Sequence, residues 1–410
     1  MTEKMKPSGF DYLGNIPASW FAKRFKYCVQ ICNGGEYADI EVDEGGYPVI
    51  GSGGEFARAS KYCYRGESVL LGRKGTIDKP LYINDAFWCV DTMFFTKPKK
   101  GMIPRFLYYC ALCFRFDYYV TATALPSMTQ KDLGSEMIAV PPTEEQQFIA
   151  DYLDAQCAKI DSVIADIEKQ IDTLKQYKQS LIYETTVGGL KKGGTKRVSD
   201  IDWVNIRIPE QWKTKKIRYL FQLRDERNYR PLEEVNLISL YTDLGVVQHS
   251  DLETTTGNKA YTADGYKKVY KDDIVVNIIL CWMGAIGISD YEGVTSPAYD
   301  VYLPIDKKTV YPRYYHYLFK SERFHGKCYT VGRGIMAMRW RTYSSEFKNI
   351  DVPLPTYDEQ VEIATFLDEK CKEIDAIIQT KQAQQDIIAQ HKKSLIYEYV
   401  TGKKRVTEVN

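Results

Sequence analysis

The sequence predicts an α+β protein in which two mixed α/β blocks are separated by two long helices that form a coiled-coil spacer. The main observation is an internal repeat, because residues 145–188 align without a gap with residues 359–402. A shorter repeat, NIPASW at 15–20 and RIPEQW at 207–212, precedes each block. The order of block, helix, block and helix predicts two equivalent halves with a pseudo-twofold relation.

Each copy of the longer repeat is predicted to be helical. Neither copy contains proline, and apolar residues recur every three or four positions, as in the seam of a coiled coil. Thr143 and Thr356 can cap the helices, and glycine follows both last turns. The predicted seam, which is also the predicted partner-binding surface, consists of Ile149, Leu153, Ile160, Ile164, Ile167, Ile171, Leu174 and Leu181 in the first helix and Ile363, Leu367, Ile374, Ile378, Ile388 and Leu395 in the second.

The stripe is interrupted in the second helix. Lys381 and Gln385 stand at positions that isoleucine holds in the first copy. A polar break in a seam is typical of register control or of an interface that another protein completes. The alternative is that three nearby isoleucines carry the packing after a slight rotation of the helix, namely Ile377, Ile378 and Ile387.

The repeats divide the chain into five parts. We name residues 1–142 the first head and residues 143–190 the first spacer helix. A linker and the second head cover residues 191–355, the second spacer helix covers 356–402, and a tail covers 403–410. The two spacer helices and the two short repeats, which we name the frame, have the same length in both halves, whereas the heads differ in length and sequence. This difference predicts that the helix ends and the short repeat hold each head independently.

Short strands are predicted inside both heads. Apolar or alternating runs bounded by Gly, Asp and Pro indicate strands at 47–50, 67–71, 80–83 and 93–96 in the first head and at 235–240, 273–280, 285–289 and 299–303 in the second. Residues 103–119 are rich in helix formers, and residues 314–324 are predicted to form one helix.

Composition excludes several classes of protein. With 410 residues and a net charge of +1, the chain lacks the excess of basic groups typical of a protein that grips a polyanion unaided. No run of 18 apolar residues and no secretory signal occurs, which favours a cytoplasmic protein without a membrane partner. Cys110 and Cys113 form the single CxxC motif and no histidine flanks it, so buried reduced thiols are favoured over a metal site.

Local basic segments are candidates for contacting DNA. Gly72-Arg73-Lys74-Gly75-Thr76 is a basic turn without the spacing of a P-loop, and residues 320–348 are enriched in arginine. Arginine can read guanine edges and bind phosphates, although a solvated basic turn or face is the alternative at both places. The predicted DNA-binding residues are Arg58, Lys61, Arg73, Lys74, Thr76, Ser127, Gln130, Lys131, Arg333, Arg339 and Arg341.

Motifs for catalysis are missing from the sequence. It contains no NPPY-like or DPPY-like tetrapeptide for amino-methyl transfer, no HExxH and no GxSxG. No carboxylate–lysine cluster of a nuclease stands out either. The sequence therefore predicts no catalytic residue and no enzymatic activity of the isolated chain.

The duplicated segments resemble those of the specificity (S) subunits of type I restriction–modification systems. The resemblance rests on PPTEEQ at 141–146 and PTYDEQ at 355–360, on an IxxxLDxxCxxID core at 149–161 and 363–375, and on KxSLIYE at the helix ends. It covers essentially the whole chain.

This resemblance implies a function in DNA recognition. The heads would be target recognition domains, each reading one half of a split, asymmetric site in double-stranded DNA. The spacer helices would pack antiparallel and bind methyltransferase (modification) subunits, two in number, with restriction subunits added to the complex. Adenine-N6 methylation and DNA cleavage would take place on those partners, so S-adenosylmethionine, ATP and Mg²⁺ would belong to them and no cofactor to this chain.

Two alternatives remain open from the sequence. A non-catalytic coiled-coil scaffold could use its heads to bind protein rather than DNA, and sequence-dependent DNA binding in the presence of the partner would separate these two functions. The missing motifs disfavour a self-contained enzyme. Methylation of DNA by the purified chain alone would support that hypothesis again.

Overall fold

The structure, a computed structural model, describes residues 4–119, 126–191, 193–242, 244–251, 262–334 and 340–406. It confirms the predicted mixture of α and β structure with two long helices. The chain divides into a first unit of residues 1–168 and 382–410 and a second unit of residues 169–381. Each unit contains one head and one half of each long helix. None of the described helices is long and apolar enough to cross a membrane.

The first head is built on a mixed sheet. Its strands are β1 (Met5–Pro7), β2 (Asn15–Pro17), β3 (Phe21–Arg24), β4 (Val29–Asn33), β5 (Tyr47–Gly51), β6 (Gly54–Ala59), β7 (Tyr64–Gly72), β8 (Leu81–Cys89), β9 (Met93–Pro98) and β10 (Met137–Val140). The helices that follow in the chain are α1 (Pro104–Ala111), α2 (Gln130–Ser135) and the long α3 (Thr143–Gly188). The main sheet has the strand order β4-β9-β7-β8-β5-β6, with β5 and β8 parallel.

The apolar run predicted at 67–71 lies in the centre of this sheet. Residues 68–72 of β7 are all buried because the strand is covered on both faces. Val69 and Leu71 pack into one core cluster and Leu70 packs into another. Alternate side chains of a strand point to opposite faces, so a strand covered on both sides needs a continuous apolar run.

The second head repeats part of this topology. Its strands are β11 (Lys196–Arg197), β12 (Ile208–Pro209), β13 (Lys213–Lys216), β14 (Phe221–Leu223), β15 (Ile238–Tyr241), β16 (Gly245–Gln248), β17 (Lys267–Val269), β18 (Ile274–Asn277), β19 (Ile286–Ile288), β20 (Gly293–Thr295), β21 (Tyr299–Pro304) and β22 (Asp351–Leu354). Its helices are α4 (Pro312–Phe319), α5 (Glu322–Val331) and α6 (Ser344–Phe347), followed by the long α7 (Tyr357–Val400). The order β14-β21-β18-β19 matches the order β4-β9-β7-β8 of the first head.

The single helix predicted at 314–324 is wrong. The chain forms α4 and α5 with a break between them, because Ser321 is extended, at φ −74° and ψ 138°. Its hydroxyl donates to the carbonyl of Leu318 at 2.7 Å, which ends α4. A serine that bonds to nearby backbone competes with the helical ladder. The stretch rich in helix formers at 103–119 is α-helical only over α1, which ends at Ala111.

The long helices run antiparallel within each unit. In the first unit the Lys392 ammonium contacts the Asp161 carboxylate at 2.6 Å. In the second unit Lys178 contacts Asp375 at 2.6 Å. The two pairs occupy equivalent positions of the repeat, so each unit contains the same ion pair between its two helices.

The short repeat joins each head to the ends of the helices. Ile16 and Trp20 share a core cluster with Ile396 and Val400 near the end of α7. The indole N–H of Trp20 also donates to Glu145 at 3.0 Å. In the second unit the equivalent residues 208 and 212 pack with the end of α3 and the beginning of α7. The same apolar contact therefore fixes both heads.

The C-terminal end of α7 requires a glycine. Gly402 has φ +73°, a left-handed conformation that side chains rarely adopt. A Cβ atom at this position would lie 2.4 Å from Cδ of Pro17. The helix can therefore end against the short repeat only because residue 402 carries no side chain.

Candidate nucleic-acid interface

The first head brings a basic turn and a polar segment together at the end of β7. Lys74 forms an isolated antiparallel bridge with Ser127. The backbone N–H of Met128 donates to the carbonyl of Arg73 at 2.9 Å. The residues grouped in this way, which we name the first-head face, are Arg73, Lys74, Thr76, Ser127, Gln130 and Lys131.

Side chains of the first-head face are anchored to different degrees. Arg73 is half-buried, and its Nη1 donates to the carbonyl of Asp91 at 3.2 Å. Gln130 donates through Nε2 to Oδ1 of Asn33 at 3.0 Å. Lys74 is exposed. An oriented arginine is suited to read a base edge, whereas an exposed lysine is suited to a phosphate.

Arg58 and Lys61 are not part of this group. The Arg58 guanidinium donates to the carbonyls of Gly45 and Gly46, at 2.6 and 2.9 Å, and pairs with Glu55 at 2.7 Å. Its contacts hold the neighbouring turn, and β6 is separated from β7 by two strands of the sheet. Lys61 is exposed just after β6. A DNA contact for either residue stays a prediction.

Two predicted arginines of the second head face each other across a bridge. The backbones of Arg333 and Arg341 exchange hydrogen bonds of 2.9 and 3.0 Å. The Arg333 guanidinium forms an ion pair with Glu346. The Ser345 hydroxyl, and then this guanidinium, lowers the pKa of Glu346. The Arg333 side chain stays 67% exposed in this ion pair, and its contact with DNA stays a prediction. Arg339 lies outside the described residues.

The loop after β18 corresponds to the basic turn after β7 but has a different composition. Thr342 donates from its backbone N–H to the carbonyl of Ile278 at 2.8 Å, as Met128 does to Arg73. Ile278 directly follows β18, as Arg73 directly follows β7. Residues 278–285 contain no charged side chain. Sequence reasoning missed this correspondence because the two loops share no motif, and only the common strand order aligns them.

The predicted seam residues are buried or half-buried. Ile149 and Leu153 lie in the core cluster of the first head, and Ile363 and Leu367 lie in that of the second. These four residues attach the helices to the heads. A partner-binding role does not fit them, because a side chain that its own chain covers cannot at the same time offer a surface to another protein.

The polar break in the second helix is filled by polar contacts. Lys381 Nζ donates to Oε1 of Gln170 in the second unit. Gln385 donates to Oε1 of Glu168 at 2.7 Å in the first unit. Of the three isoleucines in the alternative, Ile378 is buried, whereas Ile377 and Ile387 are exposed and do not carry the packing.

Each head is also held by a polar clamp that sequence reasoning missed. In the first unit Asp154 accepts hydrogen bonds from Arg105 at 2.7 Å and from the Tyr109 hydroxyl at 2.5 Å. In the second unit Asp368 accepts from Arg313 at 2.9 Å and from Tyr317 at 2.6 Å. The sequence feature that could have identified this clamp is a Pro-Arg-x-x-x-Tyr motif at 104–109 and 312–317, where α1 and α4 begin.

A glutamine completes each clamp. Oε1 of Gln146 accepts from the backbone N–H of Ile103 at 2.9 Å, just before α1. Oε1 of Gln360 accepts from Tyr311 at 2.8 Å, just before α4. Both glutamines are buried. Each one satisfies an N–H group at the start of a head helix, where the helix itself supplies no partner. The repeat therefore preserves how the heads are attached.

The titratable core groups indicate structural roles. Burial lowers the pKa of His316 to about 3, and the neutral ring accepts a hydrogen bond at Nδ1 from the backbone of Ile288 at 3.2 Å. Burial raises the pKa of both Cys110 and Cys113, as expected for inert thiols. Within the described ranges, no group of three or more His, Cys, Asp or Glu side chains could hold a metal ion.

Comparison with known proteins identifies similar chains. The family model for the type I restriction modification DNA specificity domain matches residues 29–173 and 209–385. The chain is 25% identical over 302 residues to the type I restriction enzyme MjaVIII specificity subunit of Methanocaldococcus jannaschii, covering 70% of this chain and 67% of that protein. It is 28% identical over 256 residues to the EcoBI specificity subunit of Escherichia coli, covering 60% of this chain and 52% of that protein.

The fold is similar to that of a solved structure. A chain from a structure of the type I R-M system, solved to explain its assembly and conformational transition, superimposes with a TM-score of 0.69. The two chains are 12% identical, and the match covers 95% of this chain and 99% of the other. At this identity the similarity shows a common fold.

Proposed function

The chain belongs to the type I restriction modification DNA specificity family, and on this basis we propose that it binds a bipartite, asymmetric DNA site with each head contacting one half. As a specificity subunit it gives DNA sequence specificity and is a recognition subunit rather than a catalytic one. The observation that carries the proposal is the pair of loops that follow β7 and β18. They occupy the same place in the same strand order and differ in chemistry, as two readers of different sequences should.

The first-head face supports DNA binding through its charge and its anchoring. Arg73, Lys74 and Lys131 place positive charge beside the amide of Gln130 and the hydroxyl groups of Thr76 and Ser127. Arginine pairs with guanine and glutamine with adenine in the major groove. The backbone links between the turn and the polar segment hold these groups in one arrangement, which lowers the entropic cost of binding.

The spacer helices supply a surface for the modification subunits. Val163 and Ile377 occupy equivalent positions of the repeat, and each is 46% exposed. Apolar side chains that recur at equivalent exposed positions favour two equivalent contacts, and so two copies of one partner. These residues replace the buried part of the predicted stripe as the partner surface.

The chemistry belongs to the partners. The modification subunits bind S-adenosylmethionine and methylate adenine at N6, and the restriction subunits use ATP and Mg²⁺ to cleave DNA. Adenine must leave the helical stack to reach a methyltransferase pocket. The role of this chain is to place the duplex so that the correct adenine meets that pocket.

Arg73→Ala should relax one position of the half-site that the first head reads. Loss of a base-reading arginine costs about 1–3 kcal/mol at the specific sequence and little at unrelated sequences. Lys74→Ala should instead weaken binding to all DNA sequences alike. It should also lower the slope of the logarithm of the binding constant against the logarithm of the salt concentration by about 1. Competition binding of the complex assembled with the modification subunit, at several salt concentrations, measures both effects.

Lys100→Ala is the matched control, because Lys100 is an exposed lysine of the same head outside the first-head face. It should leave the preference between sequences unchanged. Wild-type specificity and salt dependence in both the Arg73 and the Lys74 variants would overturn the assignment of the first-head face.

A further inference from the structure

The loop after β18 presents apolar side chains to solvent. Leu280 is 36% exposed and Met283 is 52% exposed. Both lie in the loop that corresponds to the basic turn of the first head. Large apolar side chains that are exposed near one another offer an apolar surface to a binding partner.

The loop is held in one conformation. Oδ1 of Asn277 accepts from the backbone N–H groups of Ile279 and Leu280, at 3.0 and 3.3 Å. Gly284 closes the loop at φ +89°, and a Cβ atom there would lie 2.5 Å from the imidazole ring of His325. The two exposed side chains are therefore presented by a fixed backbone.

Aromatic rings support the loop from behind. The Trp282 ring lies 5.5 Å from the ring of Tyr329, which stacks on Trp340 at 5.0 Å with an interplanar angle of 23°. The Trp340 indole N–H donates to the carbonyl of Tyr329 at 3.1 Å. This stack packs the loop against the segment in which Arg341 follows Trp340.

The chemistry of this surface limits what it can recognise in DNA. Leu280 and Met283 cannot donate or accept hydrogen bonds as arginine or glutamine do. The major groove offers one apolar group, the C5-methyl group of thymine. The segment that carries Arg341 adjoins the loop, since the backbone N–H of Thr342 donates to the carbonyl of Ile278. A guanidinium in this segment is suited to the backbone phosphates that flank a base pair.

We propose that Leu280 and Met283 recognise thymine methyl groups in the half-site that the second head contacts. The inference rests on the proposed function, since it takes the loop after β18 to face DNA as the loop after β7 does. It predicts that the two heads differ in mode: the first reads polar base edges with Arg73 and Gln130, and the second reads methyl groups by apolar contact.

Replacement of thymine by deoxyuridine tests this directly, because it removes only the methyl group. The complex of the full chain with its modification subunit should bind DNA about fourfold more weakly for each contacted thymine replaced in the second half-site. In the variant carrying Leu280→Ala and Met283→Ala, the same replacement should have no effect. Ile305→Ala changes a 51% exposed residue of the same head and serves as the control. In this variant, replacement of thymine by deoxyuridine should weaken binding as much as in the wild type.

The outcomes separate the two proposals. A complex without preference for any sequence would overturn the proposed function itself. A sequence-specific complex whose wild-type form binds thymine and deoxyuridine equally in this half-site, or whose second half-site lacks thymine, would overturn only the inference. If the double variant instead lost affinity for the modification subunit, the surface would be a protein interface and the inference would also fall.

Discussion

Leu153→Asp should unfold the first unit at denaturant concentrations that leave the wild-type chain folded. Leu153 is 0% exposed and lies in the core of the first head. Loss of a buried leucine side chain alone costs about 2–5 kcal/mol. An unpaired carboxylate in the same place adds the cost of burying a charge. Urea unfolding and hydrogen exchange of the free chain, resolved by segment, measure this loss.

Val163→Asp is the matched control on the same helix. Its side chain is 46% exposed, so the change should alter stability by no more than about 0.5 kcal/mol. Leu367→Asp, at the equivalent position of the repeat, should destabilise the second unit in the same way. Wild-type hydrogen exchange throughout the first unit of the Leu153 variant would show that the helix does not depend on the head core for its stability.

Exchange of the second head should change one half of the recognised site and leave the other half unchanged. Strands β13 and β22 pair with each other, Lys213 opposite Leu354, where the chain enters and leaves this head. Replacing residues 213–354 by the corresponding segment of a relative moves both strands together. Trp212, Gln360 and Asp368 remain in the frame, and the spacer helices stay intact, so the gap between the halves should keep its length.

The polar clamp limits which relatives can supply the replacement head. Asp368 accepts hydrogen bonds from Arg313 and Tyr317, so the incoming head must carry the Pro-Arg-x-x-x-Tyr motif. A replacement head in which the arginine of this motif is changed to alanine serves as the control. It should bind the helix less stably, since one member of a partly buried charged pair is left without its partner.

An exchange that altered both halves of the site together would mean that the heads are coupled.

The frame could be predicted from the sequence because its signals are local and duplicated. An apolar stripe without proline predicts a helix wherever it occurs, and its repetition predicts two equivalent helices. The ion pairs Lys178–Asp375 and Lys392–Asp161 then follow from the repeat combined with an antiparallel arrangement. The fold class was correct for this reason.

The contacts of the site residues could not be predicted from the sequence, because they depend on tertiary partners. Arg58 and Arg333 were chosen for their charge, but Glu55 and Glu346 pair with them in the folded chain. The apolar stripe was assigned to a seam, although Leu153 and Leu367 pack into the heads. Periodicity identifies which side chains are covered and leaves open which element covers them.

The correspondence between the two heads required the fold. Arg73 and Ile278 share no chemistry, and only their common place after β7 and β18 relates them. The Pro-Arg-x-x-x-Tyr motif was present in the sequence, but the segments around it differ too much to draw attention to it. The equivalence of loops with unlike residues is what predicts two modes of reading DNA.

Sequencing of methylated adenines in DNA from cells that carry this chain and its modification subunit tests the central claim most directly. The claim is that two independent heads read two halves of one site. It predicts a single motif of two short parts separated by a gap of constant length, and Arg73→Ala should broaden the bases of one part only. A motif without a gap, or a loss of definition in both parts in the Arg73 variant, would contradict the claim.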